Sequence, residues 1–297
     1  MTDRLQLPLR VLAMGASLNH DVSEFPQQRQ QFVWSRVIEE TLLDHGRAVH
    51  VRIYAVASEM ASQSMRHWEE HVKAWEPDVI IPTWGYYECV HLILPRWLER
   101  HANSLKSRPG PVRSLYRKRV LRPVWKTLAE LQKALDKRIR ARFFRRRSKR
   151  IAADLAHFID KSRKVGRPLI LLPEFLVPNK RAQDWFPGMA ARAAMLNADI
   201  RAMVDRYDDH VQLLPVSEIA ESRTDMSVEA AADGFHYNAE VHQLVGEAYA
   251  RVILEWAEQY PRLRGRGETG LPGFNTPQRV LTNQSDDGGL GSSASTV

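Results

Sequence analysis

The sequence predicts an α/β fold, a parallel five-stranded sheet with helices on both faces. Two observations carry that expectation. Four short apolar runs, residues 9–14, 79–82, 169–172 and 211–216, are continuous rather than alternating, as strands buried on both faces are. Between them lie stretches whose apolar residues recur every three to four positions, and strand–helix alternation of this kind builds a parallel sheet.

Each element has its own justification. Residues 49–56 alternate, with Val49, Val51 and Ile53 set against His50, Arg52 and Tyr54, which suits an edge strand. A helix over 27–45 places Phe32, Val33, Val37, Ile38 and Leu42 on one stripe, and 61–75 does the same with Met65, Trp68, Val72 and Trp75. Helices follow over 151–161, 189–207 and 241–260, the last with Asn238 placed as its N-cap.

One connection is too long. Roughly 85 residues separate the strand at 79–82 from that at 169–172, where a crossover needs one helix. With 151–161 as that helix, about 96–150 reads as an insertion. Within it Val124, Leu128, Leu131, Leu135, Ile139 and Phe143 form a single helical stripe with Lys and Arg on the other faces. The domain is expected to span 1–260. From 261 to 297 the composition turns to Gly, Ser, Thr, Arg and Asp, a disordered tail.

Bulk composition bounds the function. Apolar and charged fractions of 44% and 26% are those of a soluble protein. The first apolar run is too short for a signal peptide, and no run approaches a membrane span, so a cytoplasmic protein is expected. A single cysteine, Cys89, excludes an internal disulfide and a thiolate-rich metal site, and reads as a small buried apolar side chain. The net charge of +8 conceals an asymmetry. Between His101 and Arg150 stand 18 Lys and Arg against two acids, Glu130 and Asp136, so the rest of the chain is acidic. Arg140, Arg142, Arg145, Arg146, Arg147, Lys149 and Arg150 cluster around Phe143 and Phe144. That block is either a solvated arm or a docking surface for an anionic membrane or an acidic partner. No nucleic-acid-binding motif accompanies it, which ranks nucleic acid below those two.

In an open parallel sheet, ligands bind beyond the carboxyl ends of the strands. The residues there are Gly15-Ala16-Ser17-Leu18-Asn19 after the first strand, Ala57-Ser58-Glu59 after the second and Gly85-Tyr86-Tyr87-Glu88 after the third. Glu174 follows the fourth, and Asp233-Gly234-Phe235-His236 precedes the last helix. A serine needs a base to take its proton, and the base needs a third group to orient it. Asp233 and His236, three apart in a turn, suit those two roles, and Gly15 allows the tight turn that frees the Ser17 amide to face an oxyanion. Glu174 reads as a surface carboxylate, and His20 and His91 lack the spacing of metal ligands.

These blocks resemble those of the SGNH/GDSL hydrolases, serine esterases and deacylases on a three-layer flavodoxin-like fold. Gly15-Ala16-Ser17-Leu18 is similar to the Gly-Asp-Ser-Leu block, with Ala16 for Asp. Gly85–Glu88 stands where the Gly-x-Asn-Asp block does, and Asp233–His236 is similar to the closing Asp-x-x-His block. The resemblance implies Ser17 as nucleophile, His236 as base, Asp233 as its orienting carboxylate, and no cofactor or metal. It further implies an oxyanion hole of the Ser17 amide, an amide at Ala57 or Ser58, and a donor at the position of Tyr87, with Asn19 able to add another and Glu88 beside them. The expected substrate is an acyl ester, of a carbohydrate or a lipid. The alternative is a binding module on the same fold that has lost the reaction and works through its basic arm.

Overall fold

A computed structural model describes residues 7–19, 33–56, 59–90, 101, 110–139, 141–221, 234 and 236–259. The five strands are β1 (Leu9–Gly15), β2 (Val49–Ala55), β3 (Val79–Pro82), β4 (Leu169–Pro173) and β5 (Val211–Leu214). All pair in parallel, in the order β2-β1-β3-β4-β5. The alternating run is therefore an edge strand, and the continuous runs β1, β3 and β4 are interior. Val11, Leu12, Ala13 and Met14 are fully buried, as are Val79, Ile80 and Ile81. The last strand is shorter than 211–216, because Pro215 has no N–H to donate and Val216 already opens a helix.

The order fixes which helices cover which face. From β1 the chain moves outward to β2 through α1 (Trp34–Asp44); from β3 it moves the opposite way through α5 (Arg145–Ser162) to β4, and through α7 (Met189–Val204) to β5. Right-handed crossovers in opposite directions put α1 on one face and α5 with α7 on the other. The last helix, α9 (Ala239–Gln259), packs on α1, so closely that a Cβ on Gly246 would stand 2.7 Å from the Trp34 carbonyl oxygen. A helical segment, tight 3-10 over Ala61–His67 and wide π over Glu69–Lys73, replaces the regular helix expected at 61–75. It packs on α5, with Trp68 Nε1 donating to Ser162 Oγ.

After β3 come the short α2 (Tyr86–Val90) and then a helical run made of α3 (Pro111–Tyr116), a π turn (Arg117–Leu121) and α4 (Arg122–Ile139). Here the sequence expectation needs correcting. The stripe does not run on to Phe143, which lies beyond α4 in a turn and is 69% exposed; Val124 and Leu131 are exposed as well. The side of α4 that enters the core instead carries Gln132 and Asp136, 1% and 0% exposed. The reason is Arg192 of α7, itself fully buried. Its guanidinium meets Asp136 in two parallel bonds of 2.7 and 3.0 Å and donates to the Cys89 and Val90 carbonyls, while Gln132 Nε2 also donates to Val90 O. A buried ion pair and its carbonyl bonds thus anchor this helix, with Leu128 and Leu135 of the stripe half-buried beside them. α5 also begins at Arg145, earlier than the pattern at 151 suggests, so the late members of the basic cluster stand on its first turns. Phe144 is buried and Phe143 exposed, and Cys89 is buried, with burial pushing its thiol well above the ordinary range. Arg140 and residues 261–297 lie outside the described residues.

Removing one partner of a buried ion pair strands the other. Asp136→Ala is expected to destabilise the chain by about 3–5 kcal/mol, read as a lowered denaturant midpoint. Asp136→Ala with Arg192→Met, which removes both charges, should recover most of that loss.

Candidate functional site

Strand β1 ends in a turn that only glycine permits. Gly15 has φ +141°, and a Cβ there would lie 2.6 Å from Thr83 Oγ1 and 2.9 Å from the Thr83 nitrogen. Backbone bonds lock the place: Thr83 N donates to Met14 O and Val56 N to Gly15 O. Directly beyond, Ser17–Asn19 form one 3-10 turn, closed by Asn19 N on Ala16 O and held from outside by Trp34 Nε1 on the Leu18 carbonyl. Ser17 is half-buried at the carboxyl edge of the sheet.

His236 comes to it from the far end of the chain. Its Nε2 lies 2.8 Å from Ser17 Oγ, and the ring is 8% exposed. Two helix caps hold this segment. Asn238 Oδ1 accepts from Val241 N, the N-cap expected for α9. Upstream, the Gly234 carbonyl accepts from Asn179 N, and Asn179 Oδ1 caps α6 (Lys180–Trp185) by accepting from Ala182 N. Gly234 has φ +89°, and a Cβ would meet Asn179 Oδ1 at 2.3 Å. A hydroxyl at hydrogen-bond distance from a ring nitrogen is the arrangement in which a base can take its proton.

Around this pair lie buried polar groups. Asn19 is 2% exposed, and neither atom of its side-chain amide has a partner among the described residues. Tyr237, next to His236, is buried with its hydroxyl unpartnered among the described residues. His242, 1% exposed, lies edge-on to the Tyr237 ring and accepts from the Trp34 backbone N–H through Nδ1. That bond puts the ring hydrogen on Nε2. Burial first, and the nearby His236 second, lower its pKa to about 3.

The other expected residues are placed as follows. Gly85, at φ +115°, is close enough to Ile151 and Leu196 that a Cβ would press on both. Tyr87 is half-buried on α2. Glu88 is 2% exposed, and its Oε2 accepts from Ala61 N, starting the 3-10 segment. Glu174, expected at the surface, is buried, 9% exposed, and pairs with Arg201 at 2.9 Å. Ala57, Ser58, Asp233, Phe235, His20 and His91 lie outside the described residues. Beside them, Glu59 is described: it accepts from Trp84 Nε1 at 2.8 Å, and burial raises its pKa against that bond. His242 and Asn179 carry little signal in the sequence, where one is an apolar-stripe neighbour on a helix and the other a polar residue after a strand. Only the Asn-x-x spacing to a helix start could have marked Asn179 as a cap.

Solved structures share this architecture. The lipase/acylhydrolase from Enterococcus faecalis matches with a TM-score of 0.53 at 11% identity, over 84% of this chain and 96% of its own. A carbohydrate acetylesterase from Sinorhizobium meliloti matches at 0.52 and 12%, over 84% and 99%. A family 3 carbohydrate esterase from Clostridium thermocellum matches at 0.52 and 12%, over 87% and 100%. At such identities the likeness is one of fold. No protein-family model and no curated protein matches the sequence.

His242 gives the fold a pH dependence. Below its ordinary value of 6.5 the unfolded chain takes up a proton that the folded chain refuses until about pH 3. Stability is therefore whole above pH 6.5 and falls as the pH drops, by ~1.4 kcal/mol per unit from this group. His242→Asn, which keeps an acceptor for Trp34 N–H and cannot titrate, is expected to flatten the profile of unfolding free energy between pH 4 and 6.

Proposed function

From the fold it shares with the SGNH/GDSL hydrolases, we propose that this chain is a serine hydrolase acting on acyl esters. The observation that carries the reading is the 2.8 Å approach of His236 Nε2 to Ser17 Oγ, between residues 219 apart in sequence. In this reading Ser17 Oγ attacks the ester carbonyl while His236 Nε2 takes its proton. The tetrahedral intermediate collapses, the alcohol leaves with the proton from His236, and water then releases the acyl group by the same route. Asp233 receives the role of holding the imidazole through Nδ1.

Charge develops on the carbonyl oxygen, and donors must already face it. The Ser17 amide, an amide at Ala57 or Ser58, and Tyr87 are assigned that task, with Gly85 shaping the turn and Glu88 anchoring the neighbouring segment. The Asn19 side chain is the strongest addition. A buried amide with no partner among the described residues is costly if left so, and a group in that condition two residues past the nucleophile is suited to meet an oxyanion. The neighbours named as a carbohydrate acetylesterase and a lipase/acylhydrolase support acylated carbohydrate or lipid as the substrate class.

A fluorophosphonate probe is expected to label the folded wild type and not Ser17→Ala. His236→Ala should abolish hydrolysis of a short-chain aryl ester, and Asn19→Ala should lower kcat by about 10²–10³. A folded wild type that neither labels nor hydrolyses would leave the non-catalytic binding module.

The arm over 111–144 is assigned to a membrane surface. Val112, Leu115, Val120, Val124, Leu131 and Phe143 are all exposed large apolar side chains, each 43–77% accessible, in a segment dense with Lys and Arg. One of its two acids, Asp136, is already consumed by Arg192. An apolar stripe flanked by cations suits the interface of an anionic bilayer, at about 1 kcal/mol per basic residue near the surface. No helix among the described residues is long and apolar enough to cross a membrane, so the attachment is lateral. The chain is expected to sediment with vesicles of phosphatidylcholine plus phosphatidylglycerol but not with phosphatidylcholine alone, and to be released by salt. Val120→Glu with Leu131→Glu should abolish this binding. Unchanged sedimentation of that variant would remove the apolar stripe from the account.

A further inference from the structure

On the face of the sheet opposite α1, one irregular helical stretch gathers three side chains able to bind a metal ion. His67 closes the 3-10 segment, and Glu70 and His71 stand on the π segment that follows. The spacing His-x-x-Glu-His puts them on one helical face, a spacing that holds zinc on helices elsewhere. One ligand atom from each of the three residues lies within 4.8 Å of the others.

His71 adds an independent observation. It is 6% exposed, and its buried Nδ1 has no hydrogen-bond partner among the described residues. Buried ring nitrogens are ordinarily paired. Both imidazoles lie against the Tyr54 ring of β2, at centroid distances of 4.7 and 4.3 Å, which limits their freedom. Glu70 is two-thirds exposed, with Arg52 at 3.7 Å. At that exposure the pair is weak and can yield to a cation.

We infer that His67, Glu70 and His71 form a binding site for a divalent transition-metal ion, with Zn²⁺ the ion best suited to it. Two imidazoles and one carboxylate are a common zinc donor set that leaves the fourth tetrahedral position to water. The site is separate from Ser17 and does not rest on the hydrolase reading. It lies on the segment that Glu88 starts at Ala61, so a bound ion would fasten residues 67–71 against β2 through Tyr54. An ion that binds the folded chain and not the unfolded one raises stability by mass action.

The test uses the full, untagged chain and the metal alone. Titration calorimetry with Zn²⁺ should show one equivalent bound, and Co²⁺ should develop the visible absorption of a tetrahedral site. The thermal midpoint should rise with Zn²⁺. His67→Ala with His71→Ala should lose that equivalent. Glu70→Gln, on an exposed side chain that the fold does not need, should weaken binding by about tenfold or more, and Arg52→Gln, which removes the competing charge, should tighten it. Ser17→Ala should bind as the wild type does. Absence of binding in the wild type overturns the proposal. So does an equivalent retained with unchanged affinity in both Glu70→Gln and the double histidine variant, which would place the ion elsewhere.

Discussion

Where the carboxyl ends of β1 and β3 meet, there is no room for a side chain. β1 lies between β2 and β3, and from it the chain winds outward in both directions. That reversal opens a crevice at the strand ends, the place where open α/β sheets receive ligands. Gly15 closes the bottom of the crevice, held within van der Waals contact of Thr83 by its missing Cβ and by the bond from Thr83 N to Met14 O. Ser17 follows within one turn, so its position is set by the strand ends rather than by a free loop. The histidine opposite it is positioned by different means, between the caps of α6 and α9.

A second constraint acts on the other side of the sheet. Arg192 is buried where α7 meets the start of the long connection after β3, and it draws its partners from that connection: Asp136 from α4 and the carbonyls of Cys89 and Val90 from α2. A charge placed there must be neutralised and fully bonded. α4 therefore turns its Gln132 and Asp136 inward and leaves apolar residues facing out. The basic, apolar surface of the arm is in this sense a consequence of how the core pairs one arginine.

Much of the fold was legible because its signals are local. Continuous apolar runs marked the interior strands β1, β3 and β4, although the fourth such run is β5, half-buried at the other edge; alternation marked β2 as an edge, and Asn238 announced the start of α9. The errors fall where a distant group decides. The stripe from Val124 through Leu135 has a helix's spacing but says nothing of Arg192, more than fifty residues later, which draws the neighbouring Gln132 and Asp136 of α4 into the core. Pro215 ended β5 by a rule visible in the sequence and overlooked in an apolar run. At the site, the blocks around Ser17 and His236 could be read from residue type and position at strand ends. The Asn19 amide, without a partner among the described residues, and the neutral His242 could not, since burial is a property of the assembled chain.

By itself, the sequence determined the sheet, the blocks that meet at its carboxyl edge and the uneven distribution of charge, because periodicity, residue type and charge are written residue by residue. Tertiary structure alone decided that His236 Nε2 stands 2.8 Å from Ser17 Oγ, that Gly15 and Gly234 have no space for a side chain, and that the arm docks by a buried ion pair. These depend on distances between segments far apart in the chain, which only packing fixes.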